Sequence, residues 1–408
     1  MTVDVDAGRI AGVWPGEAPA AADPGTDIVE SAGLTLLPGL IDGHVHLLLE
    51  PDTEGPLAWD RALVDDDATL LLRGSAAAAR LLSAGVTTAR DCGGRSGIPV
   101  AIRDAIARGT LPGPRILASG PVITRPGGHG HLFGIAADGP AALKGAAREL
   151  LDSGVDFLKI MATGGNLTSG TRPDLPQYSG AELAVVADEA HRVGRRVTAH
   201  AHALAGIQNA VDAGIDSIEH CSWIGRDGRA YDPRLVERMV GNGVFVDFTP
   251  AVSYRMVEGH EAVWSELRER LRRVREFRVP TMVPMWKAGV QFYFGSDAGT
   301  PRTLFEDFAL VLELSVLDAG LPADVAIAAA TGTAARALGI EDDTGTIVVG
   351  KVADLLLVEG DPIQDIRALR RVRRVYRSGR LVVEHGRLAV SRSDLAYLPP
   401  TVPTVPFA

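Results

Sequence analysis

Apolar positions in this chain come in short runs separated by longer amphipathic stretches. Eight runs read as strands: LLPGLIDGHVH (36–46), GVTTARD (85–91), PRILASG (114–120), DFLKIMA (156–162), RVTAHAH (196–202), DSIEHC (216–221), GVFVDFTP (243–250) and VQFYFGSDAG (290–299). Between most of them apolar residues recur at helical spacing, as in ATLLLRGSAAAARLLSAG, PAALKGAARELLDSG, GAELAVVADEAHRVG and ALAGIQNAVDAG. Each of these ends in Gly, a helix stop. Strand then helix, repeated over about 300 residues, predicts a parallel sheet closed into a (β/α)8 TIM barrel. An open doubly wound sheet is the alternative, and no GxGxxG turn opens a first βα unit to favour it.

The two ends read differently. Residues 1–37 and 340–408 carry short β runs and no long helix, among them GTIVVGKVADLLLVEGD and RVYRSGRLVVEHGRLA. They are expected to pair into a small composite β-sandwich domain beside a barrel spanning 38–339. After the seventh strand, SYRMVEGHEAVWSELRERLRRVREF predicts a charged amphipathic helix. Its Glu/Arg spacing suits a solvated face, and its place after a barrel strand suits part of a lid.

Composition narrows the classes. The chain has 408 residues, 46% hydrophobic and 23% charged, with a net charge of −10. Nucleic acid is therefore not an expected partner. The basic run IRALRRVRRVYRSGR (366–380) alternates with apolar residues and reads as the wet face of a strand or short helix. Cys92 and Cys221 lie in apolar runs, so free thiols are expected. The N-terminal MTVDVDAGRIAGVW has no basic, apolar leader pattern, and no apolar stretch is long enough for a span. A cytoplasmic protein without membrane contact is expected.

The chemistry lies at the strand ends. His44 and His46 close the first strand as HxH, Lys159 lies in the fourth, His200 and His202 close the fifth, His220 the sixth and Asp297 the eighth. Strand ends converge on one mouth of a barrel, and alternation sends i and i+2 to the same side. One histidine on an apolar strand is usually a core residue. Five of them with an aspartate at one mouth point to a borderline divalent ion such as zinc. A lone lysine usually snorkels to water. Buried in DFLKIMATGG, Lys159 loses its proton more readily, and a neutral amine can add carbon dioxide. The resulting carbamate is an anion able to bridge two cations.

In this order, LLPGLIDGHVH, FLKIMATGG, VTAHAH, SIEHC, GSDAG and GKVADLLLVEGDP resemble the metal-dependent amidohydrolase superfamily. The branch they look like is the imidazolonepropionase-like and Xaa-Pro dipeptidase (prolidase)-like one. The resemblance implies a binuclear centre in the barrel and a β-sandwich built from both ends. His44, His46 and Asp297 would hold one metal, His200 and His220 the second, and carboxylated Lys159 would bridge two divalent ions, zinc by default. Asp297 would shuttle the proton. His202 would support His200 or contact the substrate carbonyl, and is taken as a catalytic and substrate-binding residue. His129, in the branch-like GGHG of PGGHGH (126–131), would contact substrate; His131 departs from the pattern. Family members begin with a further strand before DAGRIAGV, which here reads as short or missing. Small-molecule substrates and a homo-oligomer are also implied.

Other residues are weaker candidates. Tyr254 and Arg255 follow the seventh strand within reach of the mouth, and Tyr254 is taken as a substrate contact. Arg172, Tyr178 and Trp223 are possible mouth residues, more often packing or surface. Asp42 and Gly43 shape a strand end, Asp91 and Cys92 back the metal ligands, and His191, His260 and His385 read as surface. The function expected is a binuclear hydrolase of dipeptides or N-acyl amino acids, with cyclic amides or lactones as the alternative within that chemistry. A deaminase on the same scaffold would generally lack the lysine. A Schiff-base lyase has no use for five imidazoles, and a non-catalytic relative would have lost ligands.

Overall fold

The computed structural model describes residues 1–16, 26–29, 31–51, 57–252, 254–258 and 265–389. His260 and residues 390–408 lie outside them. The apolar runs are parallel strands. Leu40–Val45, Val86–Asp91 and Arg115–Ala118 form one ladder in that order. Phe157–Met161, Arg196–Ala203, Ser217–Gly225 and Phe245–Asp247 form a second. Every residue of Leu40–Val45, Val86–Asp91 and Phe157–Met161 is buried, as for strands covered on both faces. The amide of Asp156 donates to Ala118 O at 2.9 Å, linking the ladders. Single parallel bridges, Val246 with Phe292 and Val45 with Ala298, lie on the other side. Helices such as Asp67–Ser83, Pro140–Asp152, Gly180–His191 and Leu204–Asp212 fall between strands. The architecture is mixed α/β of the TIM-barrel type. Among the described residues no helix is long and apolar enough to cross a membrane.

The eighth run differs from expectation. It makes isolated bridges at Phe292 and Ala298 and no continuous ladder. Its backbone is held partly by single bonds to the flanking strands, among them Asp297 N to His44 O at 2.7 Å, and partly by side chains. Asp42 accepts from Ser296 N (2.9 Å) and Ser296 Oγ (2.6 Å), while Asp247 Oδ1 accepts from Gly295 N at 3.0 Å. Gly295 is required by packing, since a Cβ there would lie 2.3 Å from His44 Cβ. The seventh strand is also shorter than predicted. Beyond Asp247 the chain turns, with Thr249 N donating back to Asp247 Oδ1 at 2.8 Å.

The two ends of the chain meet. Leu34–Pro38 pairs antiparallel with Leu355–Glu359, at the edge of a five-stranded sheet completed by Val372–Arg377, Arg380–Glu384 and Arg387–Leu388. The strand left in doubt by the sequence is present: Thr2–Asp6 pairs with Arg9–Trp14. That hairpin is tied to the C-terminal segment through Ile10 and Lys351 (2.9 Å). The basic run forms a 3-10 turn and a strand, with Arg373 and Arg374 paired to Glu359 and Glu384.

Under the barrel mouth lies a buried arginine. Arg90 donates from Nε to Gly43 O (2.7 Å) and from Nη2 to Tyr293 Oη (2.6 Å) and Glu219 Oε1 (3.2 Å). Its guanidinium lies 5.0 Å from the ring centroids of both Phe157 and Tyr293. It thus joins four strand segments through one group. Removing one partner of a buried pair leaves the other charge uncompensated. Arg90→Met is expected to destabilise the fold by about 3–5 kcal/mol, read as a lower urea midpoint at unchanged slope.

Candidate metal centre

The first strand delivers His44 and the residue after its end delivers His46, two positions on and so on the same side. Asp297 Oδ1 lies 3.4 Å from Nε2 of both rings. His200, on Arg196–Ala203, packs its ring centroid 4.5 Å from His129, 4.6 Å from His202 and 4.7 Å from His220. Donor atoms of His200, His202 and His220 lie within 4.8 Å of one another, as do those of His44, His220 and Asp297. The two groups share His220. Lys159 opens from its strand onto the same cavity, which is lined also by His129. The structure therefore brings together every sequence-predicted metal residue, along with His129 and His202.

Ring orientation is fixed from behind. His46 Nδ1 donates to Gly93 O (3.1 Å) and His200 Nε2 to Gly164 O (3.2 Å). In the neutral rings this leaves a lone pair on His46 Nε2 and on His200 Nδ1. His202 Nδ1 hydrogen-bonds Ser222 Oγ and His220 Nδ1 hydrogen-bonds Thr249 Oγ1, each at 2.8 Å. His129 Nδ1 meets Thr168 Oγ1 at 2.8 Å, and its amide donates to Gln177 Oε1 at 2.7 Å. Gly165 makes room for that ring, since a Cβ there would lie 2.4 Å from it. His220 and Asp297 both sit in the left-handed region, at φ 67° and 59°. Such positions cost of order 1–3 kcal/mol each and persist where the surroundings impose them.

Burial sets the protonation states. It holds the imidazoles of His44, His200, His202 and His220 well below the usual range, with nearby cationic groups adding to the effect. His129 is pushed down to about 3 in the same way. Burial lowers the Lys159 amine to about 8. Neutral imidazoles, a carboxylate and a readily deprotonated amine are the donor types a borderline divalent ion takes.

Several supporting residues were missed by sequence reasoning. Glu219 contacts Lys159 Nζ and accepts from Thr198 Oγ1 (3.1 Å) and Cys92 Sγ (3.2 Å). Asp247 Oδ2 lies 3.5 Å from His44 Nδ1, and burial pushes its carboxyl up to about 8. Both Asp247 Oδ2 and His44 Nδ1 are buried without a hydrogen-bond partner. The acid before His220 and the alternation of apolar and acidic residues in FVDF were the available signals. Arg278 also lines the cavity. It continues the spacing of Leu267, Leu271 and Val274 on one helix face, so it departs from the solvated face expected of that helix. A third donor group, His44 with Cys92 and Glu219, faces Lys159 and Arg90, which already supply its positive charge.

The weaker candidates lie elsewhere. Tyr254 does not reach the cavity: Arg275 covers its ring at 4.6 Å, and it packs on the main core. Arg255 pairs with Asp307 and Arg172 with Asp174. Tyr178 is buried and donates to Ala137 O at 2.8 Å; Trp223 is buried against Tyr231. His131 donates to Gly128 O (2.8 Å), His191 meets Asp216 (2.9 Å) and His385 meets Arg373 (2.9 Å). Asp91 accepts from the amides of Leu47 and Gly93. Cys92 and Cys221 are both free and buried.

Residues 35–382 match the Amidohydrolase family. The chain is 29% identical over 378 residues to an ochratoxinase of Aspergillus niger, covering 85% of this chain and 75% of that protein. It is 24% identical over 390 residues to an imidazolonepropionase of Rhizobium rhizogenes, covering 86% and 84%. A crystal structure of an Xaa-Pro dipeptidase with methionine bound in its active site superposes with a TM-score of 0.83, at 29% identity over 94% of each chain.

Carboxylates behind metal-binding histidines orient the ring and raise its basicity, and losing one typically costs 10–100-fold in metal affinity. Asp247→Asn is expected to weaken zinc binding by about that factor, measured by competition with a chromogenic chelator on protein whose circular dichroism is unchanged.

Proposed function

This chain belongs to the amidohydrolase family and is a hydrolytic enzyme, and on that premise we propose that it cleaves dipeptides or N-acyl amino acids at a binuclear metal centre. The carrying observation is the pair of donor groups that share His220 around Lys159. On this reading His44, His46 and Asp297 hold one divalent ion, His200 and His220 hold the other, and zinc is the default metal. The ions, when bound, would lower the pKa of water and polarise the scissile carbonyl.

Lys159 is the bridging ligand in this proposal. Its amine attacks the carbon of carbon dioxide and loses a proton, giving a carbamate anion. Burial in an apolar strand favours the neutral amine that this addition needs. Asp297 accepts the proton of the attacking water and returns it to the leaving amine, as general base and then acid. Its reach to both His44 and His46 supports that position. His202, whose Nδ1 hydrogen-bonds Ser222 Oγ, would donate from Nε2 to the developing oxyanion in the tautomer in which Ser222 is the donor. His129 contacts the substrate from the glycine-rich loop.

The same reading extends to the architecture. The bridges at Val45 and Val246 and the Asp156–Ala118 bond support closure of a (β/α)8 barrel over 38–339. The shared sheet of Leu34–Pro38 and Leu355–Glu359 supports a composite β-sandwich domain from 1–37 and 340–408. The names of relatives favour amides over lactones: ochratoxinase aside, one solved neighbour is a prolidase complexed with N-methylphosphonate-L-proline.

Zinc-loaded protein supplied with bicarbonate is expected to turn over members of a dipeptide and N-acyl amino acid library, with products read by mass spectrometry. Asp297→Asn should lower the rate by at least about 10²–10⁴-fold. Turnover confined to cyclic amides or lactones would shift the substrate and keep the mechanism. Reconstitution of metal-free protein should also depend on pH. The Lys159 amine titrates near 8, below its usual value, so the neutral form rises as pH rises through about 8. Bicarbonate-dependent recovery should climb over that window and vanish in Lys159→Ala. Recovery independent of bicarbonate and of Lys159 would remove the carbamate from the proposal.

A further inference from the structure

The helix Ser265–Arg278 carries five arginines between 270 and 278, and those at 272, 273 and 275 each have an acidic partner. Arg278 does not. It is 1% exposed, lines the cavity with His202, His220 and Asp297, and forms no ion pair among the described residues. Nη1 donates to Thr249 Oγ1 at 3.0 Å, and Nε has no hydrogen-bond partner. A guanidinium has five N–H donors in a planar fork. A buried cation left this far from satisfied is strongly disfavoured unless an anion is supplied, and a ligand in the cavity can supply one.

We propose that Arg278 binds the free carboxylate of the substrate, and that the apolar wall beside it selects amino acids with an apolar side chain on the leaving amine. The proposal rests on the amide-hydrolase reading above and deepens it by naming the substrate class. Position supports it. Thr249 Oγ1 accepts from Arg278 and also hydrogen-bonds His220 at 2.8 Å, so one hydroxyl separates the guanidinium from the metal-side imidazole. In an N-acyl amino acid the carboxylate carbon lies two bonds from the leaving nitrogen, and the two groups must be read side by side. The rest of the wall is Met161, Leu167, Val252, Leu271 and Val274. Asn166 Oδ1, buried without a partner, also lines the cavity and can accept an N–H. Among the described residues the lining has no carboxylate apart from Asp297, so a cationic side chain finds no counter-charge there.

The test compares N-acetyl-L-phenylalanine with its carboxamide and with N-acetyl-L-arginine, by kcat/KM and by calorimetric binding, on metal-loaded wild type, Arg278→Met and Arg278→Lys. Wild type should favour the acid over the carboxamide by about 100-fold, as expected for one buried hydrogen-bonded charge pair. The ratio should fall near one in Arg278→Met and recover in part in Arg278→Lys. Phenylalanine should exceed arginine by roughly tenfold or more. A wild type that treats acid and carboxamide alike, or binds neither, overturns the assignment. So does an unchanged ratio in Arg278→Met. If Arg278→Met does not fold, the wild-type and Arg278→Lys ratios decide. Selective binding of the acid without hydrolysis would keep Arg278 and remove the hydrolase reading. Hydrolysis without preference for the acid would do the reverse.

Discussion

The site depends on one constraint: three ionisable side chains, Glu219, Lys159 and Arg90, are buried together at the base of the barrel mouth. Glu219 answers both Lys159 and Arg90, and Arg90 is further sandwiched near Phe157 and Tyr293. A buried charge is tolerated only when paired and hydrogen-bonded. The strands that carry these residues must therefore sit in one register. That register places His44, His200 and His220 above them. Burial, with the cationic groups below adding to it, keeps those imidazoles neutral with their lone pairs free. Pairing at the floor and donor chemistry at the mouth are two consequences of one packing problem.

Strands bring the histidines to the mouth, with His220 at a left-handed kink in its own, while an interrupted segment sets the carboxylate. Asp297 lies in a segment whose amides are shared between a neighbouring strand, where its own amide donates to His44 O at 2.7 Å, and the side chains of Asp42 and Asp247. Two buried acids thus supplement an interrupted ladder, and burial raises both well above the usual carboxylate range, to about 7 and about 8. The gain is orientation. A residue at the end of a regular strand would point where the pleat sends it, whereas Asp297 at φ 59° turns toward His44 and His46 at once. Strain of this kind gathers where a structure must aim a group.

The strands, the helices between them and the residues that converge on the mouth were legible because each followed a local rule. Periodicity marked the elements, and strand ends marked the mouth. What was not legible depended on contacts between distant segments. FVDF looks like any buried strand until Asp247 is found behind His44. The helix Ser265–Arg278 looks solvated because most of its arginines are, and only the shared spacing with Leu267, Leu271 and Val274 sets Arg278 apart. Tyr254 failed for the opposite reason. Its place in the chain suited the mouth, but Arg275 offered its ring a better partner. The eighth run was recognised by composition, yet the acids that hold part of its backbone, Asp42 and Asp247, lie in two other runs.

The sheet shared by the chain's two ends has a consequence during synthesis. Leu34–Pro38 finds its partner in Leu355–Glu359, roughly 320 residues later, so at 5–20 residues per second it waits on the order of tens of seconds on the ribosome. Through that interval its apolar residues and unpaired edge are exposed, the condition in which strands pair wrongly. The barrel elements between are local by comparison and can condense as they emerge. The last strands to be made therefore complete an edge that the first ones opened, and a stalled or truncated chain would present that edge to its neighbours.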